Sequence, residues 1–408
     1  MERGIHRYPT VLWVNQFAAT ASDGGGTRHL DLGRALGQLG WDVTVIASDF
    51  HLHQRRFTRR SSSNQRGALV EQVAGITFLW LWSFPYGAND WRRVVNWLSF
   101  GWEVVRRGSG ARRSAVVVGS SPQLFAALGA WVLARRQGAA FVLEVRDLWP
   151  ESMAAVSGRR GLSYQLLGIL ARFLYRRADR VIVLARGAAT VIEACGVPAQ
   201  RIVWIPNGVD PASLGNTGRV EHGIFTVIYA GAHGPANGLE TVLDAAEQLK
   251  DHPYIRFMLV GDGPSKANLV FDAARRGLGN VEFRESVAKP VLHSLFAEAD
   301  CGIMVLRDAP LFSWGVSPNK LFDYLGDQLP VVCNVPGDVA EMLASAGGGV
   351  QAADHTGTAL AKAVLRMFAT PFGERLEMGR SGKRWVLSEH NRTTLAFRVD
   401  ALFREIQT

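Results

Sequence analysis

Short apolar runs bounded by turn residues recur along the chain and alternate with amphipathic stretches. In the first half TVLWVNQF (10–17), DVTVIAS (42–48), ITFLWLW (76–82), SAVVVGS (114–120), AAFVLEVRD (139–147) and DRVIVLA (179–185) predict strands. Helical patterns separate most of them, beginning with the segment from Thr27 to Gly40. Strands of continuous Val/Ile/Leu character with helices between them predict a parallel sheet covered on both faces. The turn-rich stretch 206–223 interrupts this pattern and reads as a linker. FTVIYAG (225–231), IRFMLVG (255–261), VEFRES (281–286), CGIMVLR (301–307) and PVVCNV (330–335) then restart it. The expectation is an α/β protein of two Rossmann-like, doubly wound parallel-sheet domains, residues 1–210 and 211–383, facing a cleft. Ligands of such sheets bind beyond the carboxyl ends of the strands, so chemistry is sought just after each run.

Length agrees: 408 residues exceed one ordinary core. Three widely spaced cysteines, Cys195, Cys301 and Cys333, form neither a disulfide framework nor a zinc spacing, which favours a reducing cytoplasm. The first residues lack the apolar stretch of a signal peptide, and no run of 18 apolar residues predicts a membrane span. Charge alters the picture more. Through Asp210 there are 26 arginines, no lysine and 14 acids, a net of +12; the remainder carries 19 basic and 22 acidic residues, a net of −3. A coding bias explains arginine in place of lysine but not the excess of positive charge, so the first half is expected to meet something anionic. No nucleic-acid recognition motif accompanies the charge.

The motifs fall where the strands predict. Gly24, Gly25 and Gly26 follow the first strand and open a helix, leaving bare backbone N–H groups for an anion; a flexible turn would look the same. The spacing is not the dinucleotide fingerprint, which disfavours NAD. A second glycine-rich turn, with Gly231, Gly234 and Gly238, follows the first strand of the second half and leads into a helix whose apolar face carries Leu239, Val242 and Leu243. In LVGDGP (259–264) the glycines are turn chemistry and Asp262 reads as a cap. FVLEVRDLWPES (141–152) sets Glu144, Arg146, Asp147 and Glu151 at a strand exit, with Glu144 and Arg146 on one face. Such charges are costly unless paired or used, and an Arg146–Asp147 structural pair is the plain alternative. In SPNKLFDYLGDQLPVV (317–332), Ser317 reads as a helix cap, Pro318 suits the first turn, and Lys320 and Asp323 fall three apart on one face.

Taken in order, GGGT, RDLWPES, IPNGVD, YAG…GLE, LVGDGP, VEFRESV, EADCGIMVL and SPNKLFDYL…PVV resemble the retaining glycosyltransferases of family 4, of GT-B fold, over nearly the whole chain. More narrowly they resemble the bacterial branch that builds O-antigen and other surface polysaccharides, including WbuB-like N-acetylfucosamine transferases. The resemblance implies a nucleotide-sugar co-substrate, usually UDP-linked, bound by the second domain, an acceptor bound by the first, no cofactor and no catalytic metal. It also implies a C-terminal helix, about 384–408, packed back on the first domain. Of the family's Glu-x7-Glu pattern, Asp323 stands at the second position and Gly315 at the first. The usual basic pair by the second glycine-rich loop is reduced to His233, leaving Lys320 as the cation. Gln328 replaces a helix-ending glycine and, if left-handed, carries roughly 1 kcal/mol of strain.

The resemblance assigns Lys320, the helix start at Ser317 and the Gly24–Gly26 loop to the diphosphate, with Gly231 and Gly234 beside them. Asp323 takes the ribose, Glu285 and Val287 edge the base, and Arg146, Asp147 and Glu151 contact the acceptor or the transferred sugar. HLHQRRFTRR (51–60) and the Trp- and Arg-rich stretch 83–107 predict peripheral binding to an anionic membrane from the cytoplasm, with a polyprenyl-diphosphate-linked acceptor. A packed helix with solvated arginines would read alike. Two other classes remain: an epimerase of GT-B shape, which would turn over donor alone, and a non-catalytic nucleotide-sugar-binding subunit.

Overall fold

The computed structural model describes residues 8–407 except 21–22, 24–25, 53, 89, 109, 111–112, 153–160, 216–217, 222, 310–311 and 313. It divides into two units, one comprising residues up to Pro206 and from Arg392 onward, the other Asn207–Asn391. The boundary thus falls four residues before the expected one, and the returning segment begins at Arg392 rather than near 384.

The first unit is built on strands β1 (Thr10–Val14), β2 (Asp42–Ser48), β5 (Leu69–Val73), β6 (Ile76–Leu81), β7 (Val116–Ser120), β8 (Ala140–Val145), β9 (Arg180–Val183) and β10 (Ile202–Trp204), with β3 (Phe50–His51) and β4 (Arg56–Phe57) forming a separate small pair. The eight-stranded sheet has the order β10-β9-β8-β7-β1-β2-β6-β5. Every pairing in it is parallel except β5 on β6. β5 escapes the sequence pattern because an antiparallel edge strand needs no continuous apolar run, and LVEQV alternates instead. Its helices are α1 (Arg28–Gln38), α2 (Trp91–Gly108), α3 (Leu124–Gln137), α4 (Leu162–Arg177), α5 (Gly187–Ala194) and, from the far end of the chain, α13 (Arg392–Glu405). Leu395, Val399, Leu402 and Phe403 of α13 join Trp13, Leu36, Trp41 and Val45 in one core, and Trp41 Nε1 donates to Asp400 at 2.7 Å.

In the second unit β11 (Phe225–Ala230), β12 (Ile255–Val260), β13 (Val281–Arg284), β14 (Cys301–Met304), β15 (Val331–Cys333) and β16 (Gly349–Gln351) form an all-parallel sheet of order β13-β12-β11-β14-β15-β16. Helices α6 (Glu240–Gln248), α7 (Lys266–Arg275), α8 (Lys289–Glu298), α9 (Asn319–Gly326), α10 (Asp338–Ala346), α11 (Gly357–Ala369) and α12 (Phe372–Glu389) cover it. Period-two alternation divides the strands between two cores: Val227, Phe257 and Ile303 meet Val242, Leu243 and Leu360, while Ile228, Met258 and Met304 meet Leu321, Phe322 and Leu325. All three cysteines are free thiols.

Candidate functional site

β11 lies at the middle of the second sheet, and the loops leaving it, its neighbour β12 and, beyond that, β13 converge. The turns after β11 and β12 touch backbone to backbone. A Cβ on Gly261 (φ +147°) would lie 1.9 Å from the Gly231 carbonyl oxygen, and one on Gly263 (φ +154°) would lie 2.6 Å from that of His233. Only glycine fits either place. His233 N–H donates to the Asp262 carbonyl at 2.8 Å, and Ser265 N–H donates to the His233 carbonyl at 2.9 Å, which pins the two turns together. The Asp262 carboxylate accepts from Gly263 N–H at 2.7 Å, so it holds its own turn and does not cap α7.

Lys320, in the first turn of α9, reaches into this cluster. Its Nζ donates to Tyr229 Oη and to Asn237 Oδ1, both at 2.7 Å, and lies 4.3 Å from the Tyr229 ring centre. A Cβ on Gly231 would come within 3.1–3.3 Å of the lysine stem, so the glycine leaves room for it. No carboxylate bonds the amine among the described residues, and burial pushes its pKa down to about 7. The imidazole of His233 is fully buried, and neither ring nitrogen has a partner among the described residues. Burial first, and then the nearby Lys266, pull its pKa down.

Of the other expected residues, Gly234 opens the short turn leading to Gly238, which is left-handed at φ +58°. Glu285 is largely exposed and accepts from Lys266 Nζ at 2.7 Å, while Val287 packs on the core beneath α9. Asp323 stands 3.8 Å from Lys289 Nζ. The sequence reading missed Tyr229, Asn237, Lys266 and Lys289. Tyr229 and Asn237 flank the quoted glycines by one or two positions, whereas the lysines come from helices that pattern alone does not bring together. Ser317 does not cap the helix. α9 starts at Asn319 with Pro318 before it, and Ser317 Oγ accepts from Asn207 N–H at 2.8 Å while its carbonyl accepts from Asn207 Nδ2 at 2.7 Å. The hydroxyl is thus taken by the segment that enters this unit. Gly315 has φ +86°, and Gln328 is left-handed at φ +58° as its position suggested.

In the first unit the expected exit cluster separates. Glu144 is completely buried inside β8 and accepts from Arg28 Nε at 2.8 Å, from Ser120 Oγ at 2.6 Å and, across 3.1 Å, pairs with His29 Nε2. The Arg28 guanidinium holds its carboxyl well below the ordinary carboxylate range despite burial. Arg28 also donates to the carbonyls of Ile205 and Pro206, at 3.0 and 2.5 Å. Glu144 therefore braces the core and does not share a task with Arg146, which lies past the strand end. No Arg146–Asp147 ion pair forms: Ser121 Oγ accepts from Arg146 N–H at 3.0 Å, Arg146 Nε is buried without a partner among the described residues, and Asp147 is exposed. Glu151 is half-buried. Gly24 and Gly25 lie outside the described residues; Gly26 shares a small cavity with Gln16, Asp23 and His51. Two of the four arginines of 51–60 are spent internally, while Arg55 and Arg56 are exposed. Arg59 pairs with Asp23 and Glu71 at 2.8 and 2.9 Å, and buried Arg60 pairs with Asp49 at 2.7 Å. Among the described residues no cluster of three or more His, Cys, Asp or Glu could hold a metal, and no helix is long and apolar enough to cross a membrane.

Residues 23–208 match the glycosyl transferase 4-like domain family and residues 224–370 match the glycosyl transferases group 1 family, together most of the chain. The chain belongs to the family 4 glycosyltransferases. It is 30% identical to WcaI of Escherichia coli (strain K12), a glycosyl transferase named for colanic acid biosynthesis, over 51% of this chain and 54% of that protein. The match thus spans about half the length of that relative. In fold, this glycosyltransferase is similar to sucrose-phosphate synthase from Thermosynechococcus elongatus, with a TM-score of 0.75 and 16% identity over 98% of this chain and 99% of that one. It is also similar to HepE from Anabaena, solved in complex with UDP and glucose, with a TM-score of 0.69 and 15% identity over 98% and 100%. The architecture is therefore GT-B.

Proposed function

We propose that this glycosyltransferase moves a sugar, an N-acetylated or deoxy hexose, from a UDP-sugar to a lipid-linked saccharide during surface-polysaccharide synthesis, with retention, without a metal, and at the cytoplasmic face of an anionic membrane. The observation that carries the reading is the Lys320 amine, held by Tyr229 and Asn237 against the Gly231 turn. As the glycosidic bond breaks, a nucleoside diphosphate leaves with growing negative charge. An oriented cation and glycine-turn N–H groups stabilise that charge without reorganising. Lys320 is thus the residue assigned to the diphosphate, with Gly231 and Gly234 beside it. Asp323 takes the ribose hydroxyls, and Glu285 and Val287 edge the base. On the first unit Arg146, Asp147 and Glu151 are assigned to the acceptor or the transferred sugar, and Arg146 Nε is a buried donor without a partner among the described residues. The UDP complex of the similar HepE fold and the naming of WcaI for polysaccharide biosynthesis support the donor and the pathway.

The test is Lys320→Ala, assayed for transfer from UDP-sugars alongside its thermal unfolding. Transfer is expected to fall by about 10²–10³-fold, the usual scale for a lost transition-state donor, with a folded protein retained. Near-normal transfer would sink the assignment. Gly315, where the family places an acid, favours one rival: a subunit that binds the nucleotide-sugar and transfers nothing. That protein would bind UDP yet leave every acceptor unmodified.

A further inference from the structure

Helices α2, α3 and α4 link consecutive parallel strands of the first sheet in one direction, from β6 to β7, β8 and β9, so right-handed crossovers place them side by side on one face. α3 packs between the other two. Close packing is built in: a Cβ on Gly129 of α3 would lie 2.7 Å from the Gly101 carbonyl of α2, and Trp131 meets Phe173 of α4 edge-on at 5.0 Å.

The outward faces are the reverse of a normal surface. On α2, Trp91, Val94, Leu98 and Trp102 form one exposed stripe, with each tryptophan 66% exposed; on α4, Leu162, Leu166 and Ile169 form another. Seven of the seventeen large apolar side chains exposed among the described residues lie on these two helices. Around them seven arginines are exposed: Arg92 and Arg106 on α2, Arg135 and Arg136 on α3, and Arg172, Arg176 and Arg177 on α4, while Arg93 and Arg107 are partly buried. Glu103 is the sole acid on the three helices, and it is already paired with Arg106 and Arg107. Arg172, Arg176 and Arg177 line a surface notch of about 560 Å³ with Ile169 and Phe173. Backbone carbonyls and an aromatic ring hold these three: Arg172 Nε bonds Gly168, Arg176 Nε bonds Cys195, and Arg177 lies over Phe173. Arginine pairs at helix C-termini can simply offset the dipole, but that leaves the apolar stripes unexplained.

We infer that the α2–α3–α4 face is the surface by which this protein lies on an anionic phospholipid bilayer, with the stripes entering the headgroup boundary and the arginines meeting lipid phosphates. The inference builds on the lipid-linked acceptor of the proposed function and names the surface that brings the enzyme to it. Tryptophan and leucine beside arginine of one sign is the chemistry of that interface, since both can bury an apolar body while a polar end stays wet. A second copy of the chain is the poorer occupant, because self-association through this face would oppose seven exposed arginines with seven.

The experiment is flotation of the full chain with vesicles of phosphatidylcholine alone and of phosphatidylcholine with phosphatidylglycerol. UDP binding is measured on the same samples. The wild type is expected to float with the anionic vesicles, to be released by salt, and to stay behind with the neutral ones. The double variants Leu166→Glu/Ile169→Glu and Arg135→Glu/Arg136→Glu are each expected to lower vesicle partitioning at least tenfold, at about fivefold per charge altered. Both should keep UDP binding, whereas Phe271→Glu on exposed α7 should float like the wild type. Absence of anionic-vesicle binding, or equal flotation of all variants, overturns the inference. So does a concentration-dependent dimer that Leu166→Glu/Ile169→Glu dissolves while flotation persists. Loss of UDP binding in the wild type would instead count against the transferase reading.

Discussion

Two charged residues carry opposite kinds of argument. Glu144 is buried with complementary charge around it, and Lys320 is half-buried among neutral acceptors. For Glu144 the folded carboxyl titrates well below its unfolded value, so its contribution is fully present above the ordinary carboxylate range and fades as pH falls through the folded pKa. Glu144→Gln leaves Arg28 without its counter-ion, and breaking such a buried pair costs about 3–5 kcal/mol near neutral pH. Urea unfolding of the two proteins should show that gap at pH 7 and a smaller one near pH 3. Equal midpoints at pH 7 would remove Glu144 from its bracing role. Lys320 runs the other way. Unfolded, its amine titrates near 10.5 and folded near 7, so the unfolded chain binds more protons between those values. Stability therefore rises with pH across that window, and below it the cost of the buried charge is fully present and no longer changes with pH. A bound diphosphate favours the ammonium and draws the proton back.

At the scale of elements, helix ends and tight turns do most of the positioning. The left-handed Gln328, just after α9, stands where glycine has no steric penalty. Gln328→Gly is expected to raise stability by about 1 kcal/mol, seen as a higher midpoint in urea; no gain would mean that its side chain compensates. The strands were legible because parallel sheets demand continuous apolar runs, and eleven of the observed strands sit inside the predicted runs with at most three residues trimmed at an end. Short edge strands such as Gly349–Gln351 and Ile202–Trp204 carry too few residues to signal themselves. The candidate site was legible where it rests on local grammar: the glycines after β11, and Lys320 after a proline. It was not legible where a side chain is claimed by a distant segment. Ser317 has good cap chemistry, but Asn207 takes its hydroxyl from 110 residues away. Glu144 looked like an exit charge, yet Arg28 and His29 turn it into a core brace.

Over the whole molecule, the uneven charge acquires a location. The +12 of the first half is not spread evenly, since Arg28, Arg59 and Arg60 are spent on internal acids while the three-helix face exposes seven arginines against one acid. The second unit, close to neutral, holds the glycine turns and Lys320. A chain with this division has the proposed donor chemistry in one unit and the cationic face proposed for the membrane in the other. That assignment depends on the diphosphate being bound at Lys320, which titration calorimetry with UDP addresses directly. Titrations at about pH 8 in phosphate and in Tris, buffers of different ionisation heat, count the protons exchanged. Saturable binding with uptake of up to about one proton, absent in Lys320→Ala, is the predicted result. No saturable heat with UDP, or the same proton uptake with and without Lys320, would contradict the account.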